Sequence, residues 1–157
     1  MRIYTFVIVA ALFFAPRFSS ACTVREYVTQ QIPLNSVAIP NSVRVEIAEM
    51  VIRARAWPGV EIRAVIGASA YVGERNPQQL VAQRTSELHA YLLQLGIKQE
   101  NFWLQPYILN DQMARDANGN LDIQQLTVTL YPECEGGCER LCDDPRVVPT
   151  TKGLSVH

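Results

Sequence analysis

Residues 76–96, NPQQLVAQRTSELHAYLLQLG, decide the fold. Asn76 is a helix cap with Pro77 at the first helical position, where its missing N–H costs nothing. Val81, Leu88, Leu92 and Leu95 then share one stripe, and Gly96 supplies the left-handed stop. Upstream, Val60 to Ile66 (VEIRAVI) puts Val60, Ile62, Ala64 and Ile66 on one face and Glu61 and Arg63 on the other, the alternation of a strand. Before it, Asn41 caps a second helix whose apolar face is Val43, Ile47, Met50, Ala54 and Trp57, ended by Pro58-Gly59. Downstream, Phe102 to Leu109 (FWLQPYIL) reads as a strand in which Pro106 suits a sheet edge or a bulge better than the sheet centre. After the Asn118-Gly119 turn, Leu126, Val128 and Leu130 alternate with Thr127, Thr129 and Tyr131 in a last strand. Tyr27 to Leu34 (YVTQQIPL) supplies a first strand, weakened by Pro33. The order β-α-β-α-β-β predicts an α+β fold, a two-layer sandwich with both helices on one face of a four-stranded sheet.

The chain has 157 residues, 48% of them apolar and 18% charged, enough apolar matter for a core and too much for wholesale disorder. Arg2 precedes an apolar run, Tyr4 to Phe14, and Ser19-Ser20-Ala21 offers the small residues of a cleavage site, so residues 1–21 read as a secretion signal. The run is too short to span a bilayer, and no transmembrane segment follows it. Cutting after Ala21 removes Arg2 and Arg17, leaving twelve cationic and fifteen anionic side chains, or −3. No basic surface remains, which argues against a nucleic-acid partner. Residues 22–132 are expected to form the domain and 133–157 a cysteine-containing extension with a mobile tail from Asp143, where periodicity ends.

Cys22, Cys134, Cys138 and Cys142 fit an oxidising compartment and two disulfides, with three connectivities open. Two readings compete. Cys22 directly after the cut is where a lipid anchor would attach. The three cysteines at 134, 138 and 142 could ligate a metal, but structural zinc sites use closer pairs and a fourth ligand, and Gly136-Gly137 weakens a helix that would align them.

Asn35-Ser36, VEIRAVIGASA (60–70), Gly73, and above all Asn76, Leu80-Val81-Ala82-Gln83-Arg84, Tyr91-Leu92 and Gly96-Ile97 resemble the OmpA-like domain, the peptidoglycan-associating C-terminal type of outer membrane protein A. The resemblance runs from Ile32 to Leu130. It implies a module of the Gram-negative periplasm or the periplasmic face of the outer membrane, with peptidoglycan or an envelope protein as partner. In that family an Asp in the turn after the second strand takes the ammonium of diaminopimelate, and an Arg on the next helix clamps its carboxylate with a planar fork of donors. The Arg falls on Arg84 and the Asp on Ala70, whose methyl cannot pair with an ammonium. Losing one member of a desolvated charge pair costs about 2–5 kcal/mol. Ser69 offers a neutral oxygen beside it, and Glu74 a carboxylate from the loop. The family's Asn-Arg-Arg lead-in to the last strand is replaced by Ile123-Gln124-Gln125. Two expectations follow: weak wall association through Arg84, or an interaction or structural module of an envelope complex that no longer binds the wall.

No enzyme is expected; the one chemical possibility left is a redox role for the terminal cysteines, whose spacing lacks the Cys-x-x-Cys geometry that lowers a thiol pKa. The chain has two histidines, no Gly-x-Ser-x-Gly, no phosphate loop and no two-histidine zinc motif. His89 has no partnered acid beyond Glu87 and reads as a boundary residue, while Trp57 and Trp103 read as core or sheet-edge packing. Residues 116–122 (DANGNLD) mimic a calcium loop, but Leu121 stands where Gly is needed and Thr127 where a bidentate Glu is needed, so an Asn-Gly turn is expected. No cofactor is implied.

Overall fold

A computed structural model describes residues 19–155. The leader's apolar run and His157 lie outside the described residues. Ten elements follow in order: strands β1 (Ser19–Thr23) and β2 (Glu26–Gln30), helix α1 (Asn41–Ala54), β3 (Glu61–Tyr71), α2 (Pro77–Gln94), a 3-10 turn (Gln99–Asn101), β4 (Phe102–Leu109), β5 (Leu126–Glu133), the single turn α3 (Glu139–Cys142) and β6 (Thr151–Ser155). The main sheet has the order β2-β5-β3-β4, with β5 antiparallel to both neighbours and β4 parallel to β3. The result is the expected α+β sandwich, helices on one side of a mixed sheet.

Each helix follows from its stripe. Val43, Ile47, Met50, Ala54 and Trp57 are all buried, as are Val81, Leu88 and Leu92. All but Val81 meet Ala64, Ile66, Val128 and Leu130 from the inner face of the sheet, while Val81 packs with Leu80 and Ala70. Each large apolar side chain sunk in this layer contributes roughly 1.5–3 kcal/mol. Gly96 takes φ +82° and its N–H donates to the Leu93 carbonyl, ending α2 as expected. Helix α1 starts one residue earlier than expected: Pro40 holds the cap position, and Asn41 is already helical. The helices are tied together where the Tyr91 hydroxyl donates to the Arg44 carbonyl at 2.8 Å.

Three features differ from the expectations. First, β3 does not end at Ile66 but runs to Tyr71, so Ser69 and Ala70 belong to a strand and not to a turn. The small residues Gly67, Ala68 and Ala70 carry no side-chain alternation strong enough to mark this continuation, yet Ala68 and Ala70 keep the inward period and are fully buried. Second, β2 stops at Gln30, short of Leu34, because Pro33 cannot donate to the ladder and its carbonyl instead accepts the Ser36 N–H at 3.0 Å. Third, the chain after Asp143 has fixed partners: Val147 is buried in the main core, the Thr150 N–H donates to the Thr23 carbonyl at 2.8 Å, and β6 pairs antiparallel with β1. Strand β1 includes Ser19, Ser20 and Ala21, which the sequence reading assigns to the leader.

The cysteines pair as Cys22–Cys142 and Cys134–Cys138. The first bond uses the sulfur that a lipid anchor at Cys22 would need, and together the two use all three sulfurs of the supposed metal set. Among the described residues no group of three His, Cys, Asp or Glu side chains could hold a metal ion, and no helix is long and apolar enough to cross a membrane.

Candidate functional site: a closed arginine–glutamate pair

Arg84 faces inward from the second turn of α2, under the C-terminal end of β3. Its side chain is 0% exposed. Four of its five donors are used: Nε donates to the Ser36 carbonyl at 2.9 Å, Nη1 to the Ser69 carbonyl at 2.6 Å and to Glu74 Oε2 at 3.0 Å, and Nη2 to Glu74 Oε1 at 2.6 Å. Glu74 comes from the loop between β3 and α2, and its side chain is likewise 0% exposed. Its two oxygens also accept the Asn35 N–H at 2.6 Å and the Tyr71 N–H at 2.8 Å. Four acceptor sites thus meet four donors, and the carboxylate is saturated. Burial pushes the Glu74 carboxyl up, but the Arg84 guanidinium and the two backbone N–H groups outweigh it, so the group is held below the usual carboxylate value.

The loops around this pair are fixed by unusual backbone. Asn35 and Asn76 both take left-handed conformations, φ +62° and +50°, which Asn tolerates better than most residues. Asn35 Oδ1 accepts the Arg75 N–H at 2.7 Å, closing the loop over Glu74. Gln125 secures the other side: it is fully buried, its Oε1 accepts the Ile32 N–H at 2.9 Å and its Nε2 donates to the Ile32 carbonyl at 2.8 Å. That clamp places the Ile32–Ser36 segment where the Ser36 carbonyl meets Arg84.

The structure brings Arg84 and Ser69 together, but through the Ser69 backbone carbonyl. The Ser69 hydroxyl donates elsewhere, to the Gln124 carbonyl at 3.0 Å. Ala70 packs with Leu80 and Val81 in a small apolar cluster and is 0% exposed. The nearest opening, about 250 Å³, is lined by Asn35, Arg75, Asn76, Gln79, Leu80 and Gln83 and stops short of both Arg84 and Glu74. Glu74 is the partner that matters most, and the sequence placed it only in the loop. Gln125 was visible solely as a departure from the lead-in. A Gln directly before an alternating strand is the one signal that could have pointed to a buried amide clamp.

The remaining candidates are structural. His89 lies at the boundary of α2 with its ring edge against Phe102, centroids 4.4 Å apart. Trp57 is buried, whereas Trp103 is 58% exposed on β4 beneath the Arg63 guanidinium, 4.9 Å from the ring centroid. Asp116 accepts the N–H groups of Asn118 and Asn120 around Gly119 at φ +83°, an Asn-Gly turn closed on its own carboxylate.

No family model matches the chain, and no curated protein does. Among solved structures, it is similar to the OmpA-like domain of FopA1 from Francisella tularensis, with a TM-score of 0.51 at 12% identity over 76% of this chain and 85% of that one. The periplasmic domain of Helicobacter pylori MotB aligns at 16% identity over 70% of this chain and 83% of that one, with a TM-score of 0.47. The likeness to the FopA1 domain, at 12% identity, concerns architecture alone, and on that ground the fold of this chain is OmpA-like.

Proposed function

We propose that this chain is a non-catalytic envelope module of OmpA-like fold, exported to the periplasmic side of a Gram-negative envelope, that acts as an interaction or structural part and not as a wall anchor. One observation carries the reading: the Arg84 guanidinium, which in the resembling family would clamp a ligand carboxylate, already holds the carboxylate of Glu74. An incoming anion would have to displace a side chain that makes four hydrogen bonds and is shielded from water. The ammonium side of the family's site is missing as well, since Ala70 is a buried methyl. The two disulfides favour an oxidising compartment, in line with the expected leader.

Co-sedimentation of the oxidised chain with isolated sacculi tests this. The expected result is no pelleting above a control protein of similar size, together with a reproducible envelope partner on cross-linking intact cells. Saturable pelleting that free diaminopimelate competes away would overturn it.

A further inference from the structure

The two edges of the main sheet are treated differently. Strand β2 is five residues long and carries Glu26, which pairs with Arg53 of α1 at 2.9 Å. A short edge guarded by charge resists further pairing. Strand β4 has eight residues, none of them charged, and Trp103 through Ile108 are all exposed. Among the described residues no strand lies outside it.

Its outward hydrogen-bonding groups can be assigned. The Leu109 carbonyl accepts the Val72 N–H at the end of β3, so odd-numbered residues of β4 turn their main-chain groups toward β3. Phe102, Leu104, Pro106 and Ile108 therefore turn theirs to the open side, and Pro106 sits where its missing N–H costs the ladder nothing. The side chains are apolar on both faces: Trp103 and Tyr107 on the outer one, Leu104 and Ile108 beside an apolar groove against Val81 and Ala82 of α2.

We propose that β4 pairs with β4 of a second copy of this chain, antiparallel across a two-fold axis at Gln105, joining two four-stranded sheets into one. The positions mirrored about that residue are apolar on both arms. Trp103 falls opposite the second copy's Tyr107, Leu104 opposite Pro106, and Phe102 opposite Ile108, which gives two aromatic cross-strand pairs on the outer face and apolar pairs on the inner. The Leu104 and Ile108 N–H groups gain acceptors in this register, for about six new main-chain hydrogen bonds. Only the residue on the two-fold axis meets its own copy, and there the uncharged Gln105 brings no like-charge repulsion. The strand offers only the exposed residues Trp103 through Ile108 per copy, against about 20–30 residues a side in a standard interface. The dimer is accordingly weak and concentration-dependent.

Sedimentation of the oxidised full chain from about 1 to 500 µM should show the mass rising from one chain toward two. Leu104→Lys should weaken association at least tenfold, with the fold checked by circular dichroism. Independently, Gln105→Cys should cross-link to its own copy under mild oxidation, because facing residues at that position lie within disulfide reach. Val45→Cys, exposed on α1, should not. A chain that stays monomeric throughout, a dimer indifferent to Leu104→Lys, or Gln105→Cys cross-linking no faster than Val45→Cys would each overturn the proposal.

Discussion

The C-terminal end of β3 and the length of β4 lie side by side in one sheet and solve opposite problems. Around Arg84 and Glu74 each buried side-chain nitrogen and oxygen has at least one partner within the chain, and both side chains are shut off from water. Along β4 the main chain and four large apolar side chains are left to solvent. A surface that satisfies itself has nothing to offer a ligand, whereas an unsatisfied edge has something to gain from company. The contrast moves the search for this module's partner away from the position the family resemblance indicates and toward the open edge strand beside it.

The largest effect should come from breaking the buried pair. Arg84→Met strands the Glu74 carboxylate, and Glu74→Gln leaves the guanidinium half matched. Removing one partner of a buried pair costs about 3–5 kcal/mol, so the midpoint of urea unfolding should fall sharply for Arg84→Met. The double variant Arg84→Met with Glu74→Leu should lose much less than the sum of the two single changes. If Arg84→Met cost less than about 1 kcal/mol, the site would behave like an exposed ion pair and the contrast would collapse.

Acid sharpens the same comparison. Because the folded Glu74 carboxyl titrates below its unfolded value, its contribution is fully present above the unfolded pKa, about 4.3. It is lost as pH falls through the lower folded value, where the protonated carboxyl leaves the guanidinium without a counter-charge. Thermal unfolding followed from pH 7 to 3 should show a steep acid limb for the natural chain and a shallower one for Glu74→Gln. Equal slopes would mean that other carboxylates govern the acid response.

The smallest effect belongs to β4. In dilute solution Trp103→Ser or Ile108→Ser should change unfolding stability by less than about 1 kcal/mol, since neither side chain is buried. Loss of several kcal/mol would show that the edge is already covered by its own chain.

Much of the fold could be read from the sequence, because α1, α2 and β5 each carry a full apolar period and β4 is a largely apolar run. What escaped did so for physical reasons. The far end of β3 is built of Gly and Ala, whose small side chains hardly distinguish inside from outside. Strands β1 and β6 hold each other with backbone bonds and no apolar alternation. The site was half legible: the position of Arg84 was visible, but its counter-charge lies ten residues away across a turn, and only the folded loop brings it home. Likewise Gln125 meets Ile32 across 93 positions, a distance that local pattern cannot span.

The Cys22–Cys142 bond joins residues 120 positions apart, while Cys134 and Cys138 are four apart. A chain delivered N-terminus first presents its thiols in the order 22, 134, 138, 142. Partnering by order of arrival would give 22 with 134 and 138 with 142, both mistakes. The native arrangement is reached when Cys134 and Cys138 close on each other first, leaving Cys22 for the last thiol to arrive, or when a premature link is exchanged afterwards.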